Sequence, residues 1–214
     1  MSAKVWSGVA IAVQSALATA LTVSGITKAN PAVVTYTGTD PSNSDYILLK
    51  VQGMHQLDYR VVRAANVSGA GNTFECEGVD STLYDTFSSG TAEVITFGTT
   101  LSIASGLSVS GGDFQMIDTT TIHDSINKQV PGNANPINIQ MDCIWDPADS
   151  GLIALKTASD SKAIKAIKIT FSDSTKVLFA GYIGATGFPT GAAQQKVSTP
   201  VTITVYGRTT NYST

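Results

Sequence analysis

Few residues in this chain could carry chemistry. His55 and His123 are its two histidines and Cys76 and Cys143 its two cysteines. His123 is followed directly by Asp124 and Ser125, the residue types of a nucleophile, base and orienter. Neighbours on a strand point to opposite faces, so three consecutive residues cannot form that relay. The run SGLSVSGG, residues 105–112, fails as a nucleophile elbow because Ser110 stands where the second glycine belongs. SGAGN, residues 68–72, has neither the spacing nor the lysine of a phosphate-binding loop. Cys76 and Cys143 lack CxxC or Cys/His spacing, so they read as buried free thiols rather than a zinc site or a disulfide. Asp146 and Asp149 lack calcium-loop spacing and read as helix-start charges. Trp6 and Trp145 read as core or interface anchors rather than ligand platforms. These residues predict a protein that is not an enzyme and takes no cofactor or metal.

The elements that position them are strands. Of 214 residues 43% are hydrophobic, enough for a sizeable core, while only 14% are charged. Thr, Ser, Gly, Val, Ile and Ala dominate, which is the composition of strands and turns. The formal net charge of −3 disfavours a sequence-independent nucleic-acid binder, which would need clustered Lys and Arg to neutralise phosphates. No stretch has the roughly 20 uninterrupted apolar residues of a membrane-spanning helix, so no membrane insertion is expected. Near the start, Val5, Val9, Ile11 and Val13 share one parity with small residues between them. Gln14 and Ser15 interrupt the apolar run, favouring a strand over a secretory signal.

From 26 to 94 the chain becomes a series of short strand candidates. Residues 32–36 and 46–51 flank GTDPSNSD, and residues 60–65 and 73–77 flank VSGAGN, so two hairpins are predicted. Tyr59, Phe74, Tyr84 and Phe87 are the candidates to fill a small core there. Residues 119–136 end in NKQVPGNANP, where two prolines, one glycine and three asparagines argue against regular structure and for a functional or mobile loop. Residues 137–145 alternate, with Ile137, Ile139, Met141 and Cys143 on one face. Asp146 then reads as a helix N-cap with Pro147 at the first helical position, and Leu152, Ile153 and Leu155 as the apolar stripe of a short helix ending near Ser159. A strand at 164–171, a turn at 172–175, a returning strand at 176–183 and a closing strand at 201–206 complete the pattern.

This order of elements, with DPADSGLIALKTASDSKAIKAIKITFSDSTKVLFAGYIGATGF at its centre, resembles the core of phage tail tube proteins. The likeness spans 118–206 and, more weakly, 5–17 and 97–114. ITKANPAVV, VQGMHQLDYRVV, NTFECEGVDSTLY and FSSGTAE are similar to a small β module of many phage virion proteins, in which Gly53, Met54 and residues 72–74 surround a turn and a core strand. The fold expected is therefore mainly β, a tail-tube-like sandwich or barrel with one short helix. A tube domain would comprise 1–22 and 96–214, and a small all-β module would be inserted at 23–95.

The resemblance implies a structural virion protein that self-assembles into hexameric rings stacked as the tail tube, the channel for DNA delivery into the host. It implies a ring-stacking loop holding Thr119, Asp124, Lys128, Pro131, Asn133 and Pro136. The implied partners are further copies, the tape measure, the tail terminator and distal tail or baseplate proteins, with genomic DNA passing through unbound. The implied location is the virion tail, after synthesis in the bacterial host cytoplasm. A wall that does not hold a polyanion should be neutral or acidic, so Asp113 and Asp142 are expected nearer the lumen than Lys162, Lys165 and Lys168. Two alternatives remain: a carbohydrate- or cell-surface-binding virion protein working through residues 26–94, or the tube of a tail-like bacteriocin.

Overall fold

The computed structural model describes residues 6–213, so Val5 lies outside the described residues. The early strands are β1 (Ala10–Val13), β2 (Ala16–Leu17), β3 (Leu21–Ile26), β4 (Ala32–Thr37), β5 (Tyr46–Gln52), β6 (Val61–Ser68), β7 (Thr73–Cys76) and β8 (Ser89–Thr96). There follow β9 (Thr99–Leu101), β10 (Ala104–Ser110), β11 (Phe114–Asp118), β12 (Gln129–Ala134) and β13 (Asn138–Ile144), then the helix α1 (Ser150–Asp160). The chain ends with β14 (Ile164–Thr170), β15 (Lys176–Ala185), β16 (Ser198–Val205) and β17 (Thr210–Tyr212). The protein is mainly β, as its composition predicts.

One sheet runs β10-β13-β16-β15-β14-β1-β9, with β17 added to the start of β15. Its outermost strands, β9 and β10, are consecutive in sequence: β9 pairs with β1 and β10 with β13. A single bent strand, turning at Ser102 and Ile103, thereby wraps the sheet into a barrel. Ile11, Val13, Ile139, Met141, Cys143, Ile167, Ile169, Phe179, Ile183, Val201, Ile203 and Val205 form its core with Leu152, Leu155 and Ala158 of α1. The period-two burial of β13 and β16 is the pattern expected of a strand with one buried face. The other sheet runs β2-β8-β3-β4-β7-β6-β5 and closes through a β8–β5 pairing into a smaller barrel. Tyr36 and Phe74 are fully buried there, and Tyr84 and Phe87 pack at its margin. Tyr59 instead joins a third cluster between the barrels, where Leu48, Val61 and Ile95 meet Ala166, Leu178 and Ala180.

Three expectations are corrected. The segments 32–36 and 46–51 are strands but not each other's partners: β4 pairs with β3 and β7, and β5 with β6 and β8. Each buries side chains within the closed sheet, where it is flanked by strands on both edges. The hairpin of β6 and β7 forms as predicted. The helix starts one turn later than Asp146 and Pro147 suggest. Asp146 instead caps a turn, accepting from the Ala148 N–H at 2.9 Å, and Asp149 is the N-cap, accepting from the Leu152 N–H at 2.9 Å. Asp149 also accepts from the Ser102 hydroxyl at 2.7 Å, which ties the helix start to the bend of the barrel-closing strand. With that start Ile153 points to solvent, and the buried stripe is Leu152, Leu155 and Ala158. Finally, residues 129–134, expected to be irregular, form β12 against β11.

The chain's end straps the barrels together. The Arg63 N–H donates to the Tyr212 hydroxyl at 2.7 Å, and the Arg63 guanidinium stacks 4.6 Å from that ring while ion-pairing with Glu77. Burial pushes the Tyr212 phenol up to about 12. The hydrogen bond and charge of Arg63 hold the Glu77 carboxyl below its ordinary value.

A Cβ on Gly151 would lie 2.6 Å from Leu101 Cα, so Gly151→Ala should lower stability by about 1–3 kcal/mol, read as a fall in the thermal midpoint. Because the Glu77 pKa is lowered in the folded state, its contribution is present above the ordinary carboxylate range and fades as pH falls through that range to the lowered value. Thermal melts of Glu77→Gln should therefore lie below wild type at pH 7 and converge with it once the pH has fallen below that lowered value; parallel curves would assign the loss to packing alone.

Candidate assembly surface

β10 does not end where the barrel wall ends. The chain leaves it at Ser110, kinks at Gly111 and Gly112, runs out along β11 and returns through β12 into β13, the antiparallel partner of β10. Both glycines have positive φ, 83° and 86°, and a Cβ on Gly111 would sit 2.2 Å from the Pro136 carbonyl oxygen. Below the kink, the Gly112 N–H donates to the Asn135 carbonyl at 3.2 Å and the Asn135 N–H to the Asp113 carbonyl at 2.9 Å. The ladder is thus carried from the barrel wall into a projecting arm.

The arm forms a sheet of two strands on its own. Such a hairpin is marginal by itself in water. This one exposes Phe114, Met116, Ile117, Ile122, Ile126 and Val130, Met116 at 54% and Ile122 at 95%. Scattered apolar residues are ordinary at a surface, but a concentration of this kind marks an interaction site. The tip is held by short-range polar bonds. Asp124 accepts from the Thr121 N–H at 3.0 Å and the Thr121 hydroxyl at 2.9 Å, and pairs with Lys128. Lys128 first, then Thr121, hold the Asp124 carboxyl below its ordinary range. Thr119 extends the ladder, its N–H donating to the Lys128 carbonyl at 2.9 Å. Pro131 stands opposite Met116 on the outgoing strand, Asn133 is exposed, and Pro136 lies at the root.

The predicted site residues thus lie on one arm from tip to root. Asp113 belongs to its root, whereas Asp142 lies on the barrel wall, exposed on the face of β13 opposite Met141 and Cys143. Following the register across β16 and β15 to β14 places Lys168 on that same outer face. The two ends of the face differ. Around Asp142 it carries Gly106, Ser108, Asn138, Gln140, Thr202 and Thr204. Around Lys168 it is covered by the smaller barrel, with the ammonium 5.1 Å from the Tyr46 ring centroid and 4.8 Å from that of Phe97. Burial, and secondarily the charge of Lys176, push the Lys168 pKa down. Lys165 is half-buried on β14, and Lys162 follows α1 with a φ of 52°.

Among the described residues no catalytic arrangement forms around the histidines. His55 is exposed in a 3-10 turn, and His123 is exposed at the arm tip beside an Asp124 already committed to Lys128 and Thr121. Cys76 and Cys143 are buried and free, their thiols pushed up by burial to about 12 and about 11. Among the described residues no group of three His, Cys, Asp or Glu side chains could hold a metal ion, and no helix is long and apolar enough to cross a membrane. Trp6 and Trp145 are surface residues. Trp6 packs on Phe171 with ring centroids 5.4 Å apart, and the Trp145 indole N–H donates to the Gly187 carbonyl at 3.1 Å.

Sequence reasoning missed a cluster where the barrels and the arm root meet. Arg60, Tyr84, Tyr206 and Arg208 line a cleft there, and no local spacing signals it because the residues lie far apart in the chain.

Two closed β barrels, a projecting apolar arm and a polar outer wall define a structural subunit whose exposed surface is built for contact with other chains. The family model of phage tail tube proteins (TTP) matches residues 52–214, and the chain belongs to that family. It is a structural protein of the virion tail. No curated protein matches it.

The arm's apolar surface yields a direct test. Replacing Phe114, Met116 and Ile117 together by serine should abolish assembly while moving the monomer's thermal midpoint little, because exposed substitutions usually change stability by within about 0.5 kcal/mol each. Unchanged assembly would remove the arm from the interface.

Proposed function

We infer that the chain self-assembles into hexameric rings that stack as the tail tube, with the arm bridging successive rings and the lumen conducting DNA into the host. The observation that carries this reading is the arm itself: a free two-stranded hairpin with six large apolar side chains exposed, which gains its cover from a neighbouring copy. A head-to-tail contact that closes gives a ring, and one that does not close extends along an axis; the two together make a tube. Thr119, Asp124, Lys128, Pro131, Asn133 and Pro136 are the residues assigned to ring stacking. Residues 23–95 act as a module inserted between the two parts of the tube domain, 1–22 and 96–214, although β2 and the first residues of β3 already belong to the sheet of the smaller barrel.

The lumen wall in this reading is the outer face bearing Asp142, with Asp113 at its margin. Its support is the segregation of charge: the lysines of that face, Lys168 and the half-buried Lys176, lie at its β14–β15 end, where the smaller barrel covers Lys168, while small polar groups and a carboxylate occupy the end around Asp142. A wall of this kind does not retain a polyanion. The partners in this reading are further copies of the chain, the tape measure, the tail terminator and distal tail or baseplate proteins. Synthesis takes place in the bacterial host cytoplasm.

Electron microscopy and sedimentation velocity on the purified chain across a concentration series test this reading. Hollow rings or tubes are the expected product. A reconstruction placing Lys162, Lys165 and Lys168 on the lumen instead of Asp113 and Asp142 would overturn the assignment of the wall.

A further inference from the structure

The cleft at the junction of the barrels and the arm root has a volume of about 590 Å³. Arg60 and Tyr84 enter it from the smaller barrel, Asn135 and Pro136 from the arm root, and Tyr206 and Arg208 from the turn between β16 and β17. Arg60 is half-buried and held in place, its Nε donating to the Thr210 hydroxyl at 3.0 Å and its Nη1 to the Tyr84 hydroxyl at 3.0 Å. The Arg208 guanidinium lies 5.7 Å from the Tyr84 ring centroid. Two guanidiniums therefore flank one tyrosine ring. Among the described residues the ion pairs are Lys50–Glu93, Arg63–Glu77, Lys128–Asp124 and Lys156–Asp160, none of which involves Arg60 or Arg208.

We propose that this cleft is an intersubunit joint that takes a carboxylate side chain presented by a second copy of the chain. A positioned, partly desolvated guanidinium fork matches a carboxylate in geometry and charge. Arg and Tyr are also the residue types that dominate binding energy at protein interfaces. Each copy carries 16 acidic against 13 basic residues, so carboxylates are in surplus on any neighbour. The joint rests on the self-assembly inferred above and adds to it the chemistry of one contact. Because the arm root lines the cleft, its occupant would also fix the arm against the smaller barrel.

The test uses the full chain. Arg208 is exposed, so Arg208→Glu should leave the thermal midpoint of the monomer in place while raising the concentration needed for assembly at least tenfold. Arg208→Lys, which keeps the charge and loses the fork, should fall between that variant and wild type. Thr209→Trp, which fills the cleft without altering its charge, should reproduce the loss. Arg208→Glu still presents the carboxylate that a wild-type cleft accepts, so adding it in small amounts to wild type should cap growth and shorten the assemblies. Assembly of Arg208→Glu or Thr209→Trp at the wild-type concentration overturns the joint and leaves self-assembly standing. A wild type that stays monomeric at every concentration overturns both. Binding of a 20-base-pair DNA duplex by wild type but not by Arg208→Glu makes the cleft a phosphate site and overturns the joint.

Discussion

The closure of the larger barrel by one bent strand is the constraint on which the rest of the molecule depends. A sheet of this length would leave two edges of unpaired backbone groups, each a template for unwanted pairing. Here residues 99–110 serve both edges, pairing with β1 before Ser102 and with β13 after Ile103, and the Ile144 N–H donates to the Ile103 carbonyl at 2.8 Å at the turn itself. Asp149 grips that turn through Ser102, and Gly151 lets the helix settle against Leu101. Helix start, strand bend and barrel closure are one cooperative unit.

The direction of β10 follows from that bend, and the direction of the arm follows from β10. The arm is not a loop attached to the barrel but the same antiparallel ladder continued past a pair of glycines. This explains how an apolar, two-stranded element can be presented at a defined place. The outer face of the barrel is divided by the smaller barrel, which covers the end carrying Lys168 and leaves bare the end carrying Asp142. The strap at β17 holds that division in place through Arg60 and Arg63.

Much of this was legible in the sequence wherever a residue's fate depends on its neighbours in the chain. The alternation of Ile139, Met141 and Cys143, and of Val201, Ile203 and Val205, declares which face is buried because a strand's side-chain period is two. The helix was legible but its first residue was not. Asp146-Pro147 and Asp149 are both good N-caps locally, and the choice is made by Ser102 and Leu101, some fifty residues away. The partners of β4 and β5 escaped for the same reason: a polar turn between two strands signals a hairpin, yet closing the smaller barrel takes each strand to other neighbours. Proline and asparagine in 127–136 hid a strand because a two-stranded edge tolerates Pro131 without a ladder donor. The cleft of Arg60, Tyr84 and Arg208 had no signal in the sequence at all, being made wholly by tertiary approach.

The glycine pair at the root of the arm has a mechanical consequence. Six residues of β12 span about 20 Å at roughly 3.3 Å per residue, so any change of angle at Gly111 and Gly112 would act through a lever of that length. A rotation of about 10° at the pivot moves the tip by about 3.5 Å, which is one residue of strand rise. If the tip pairs by backbone ladder with another strand, a displacement of that size is one step of register, and one step reverses which side chains face the partner. A small, continuous change of angle at the barrel wall would thereby become a discrete choice at the far end of the arm.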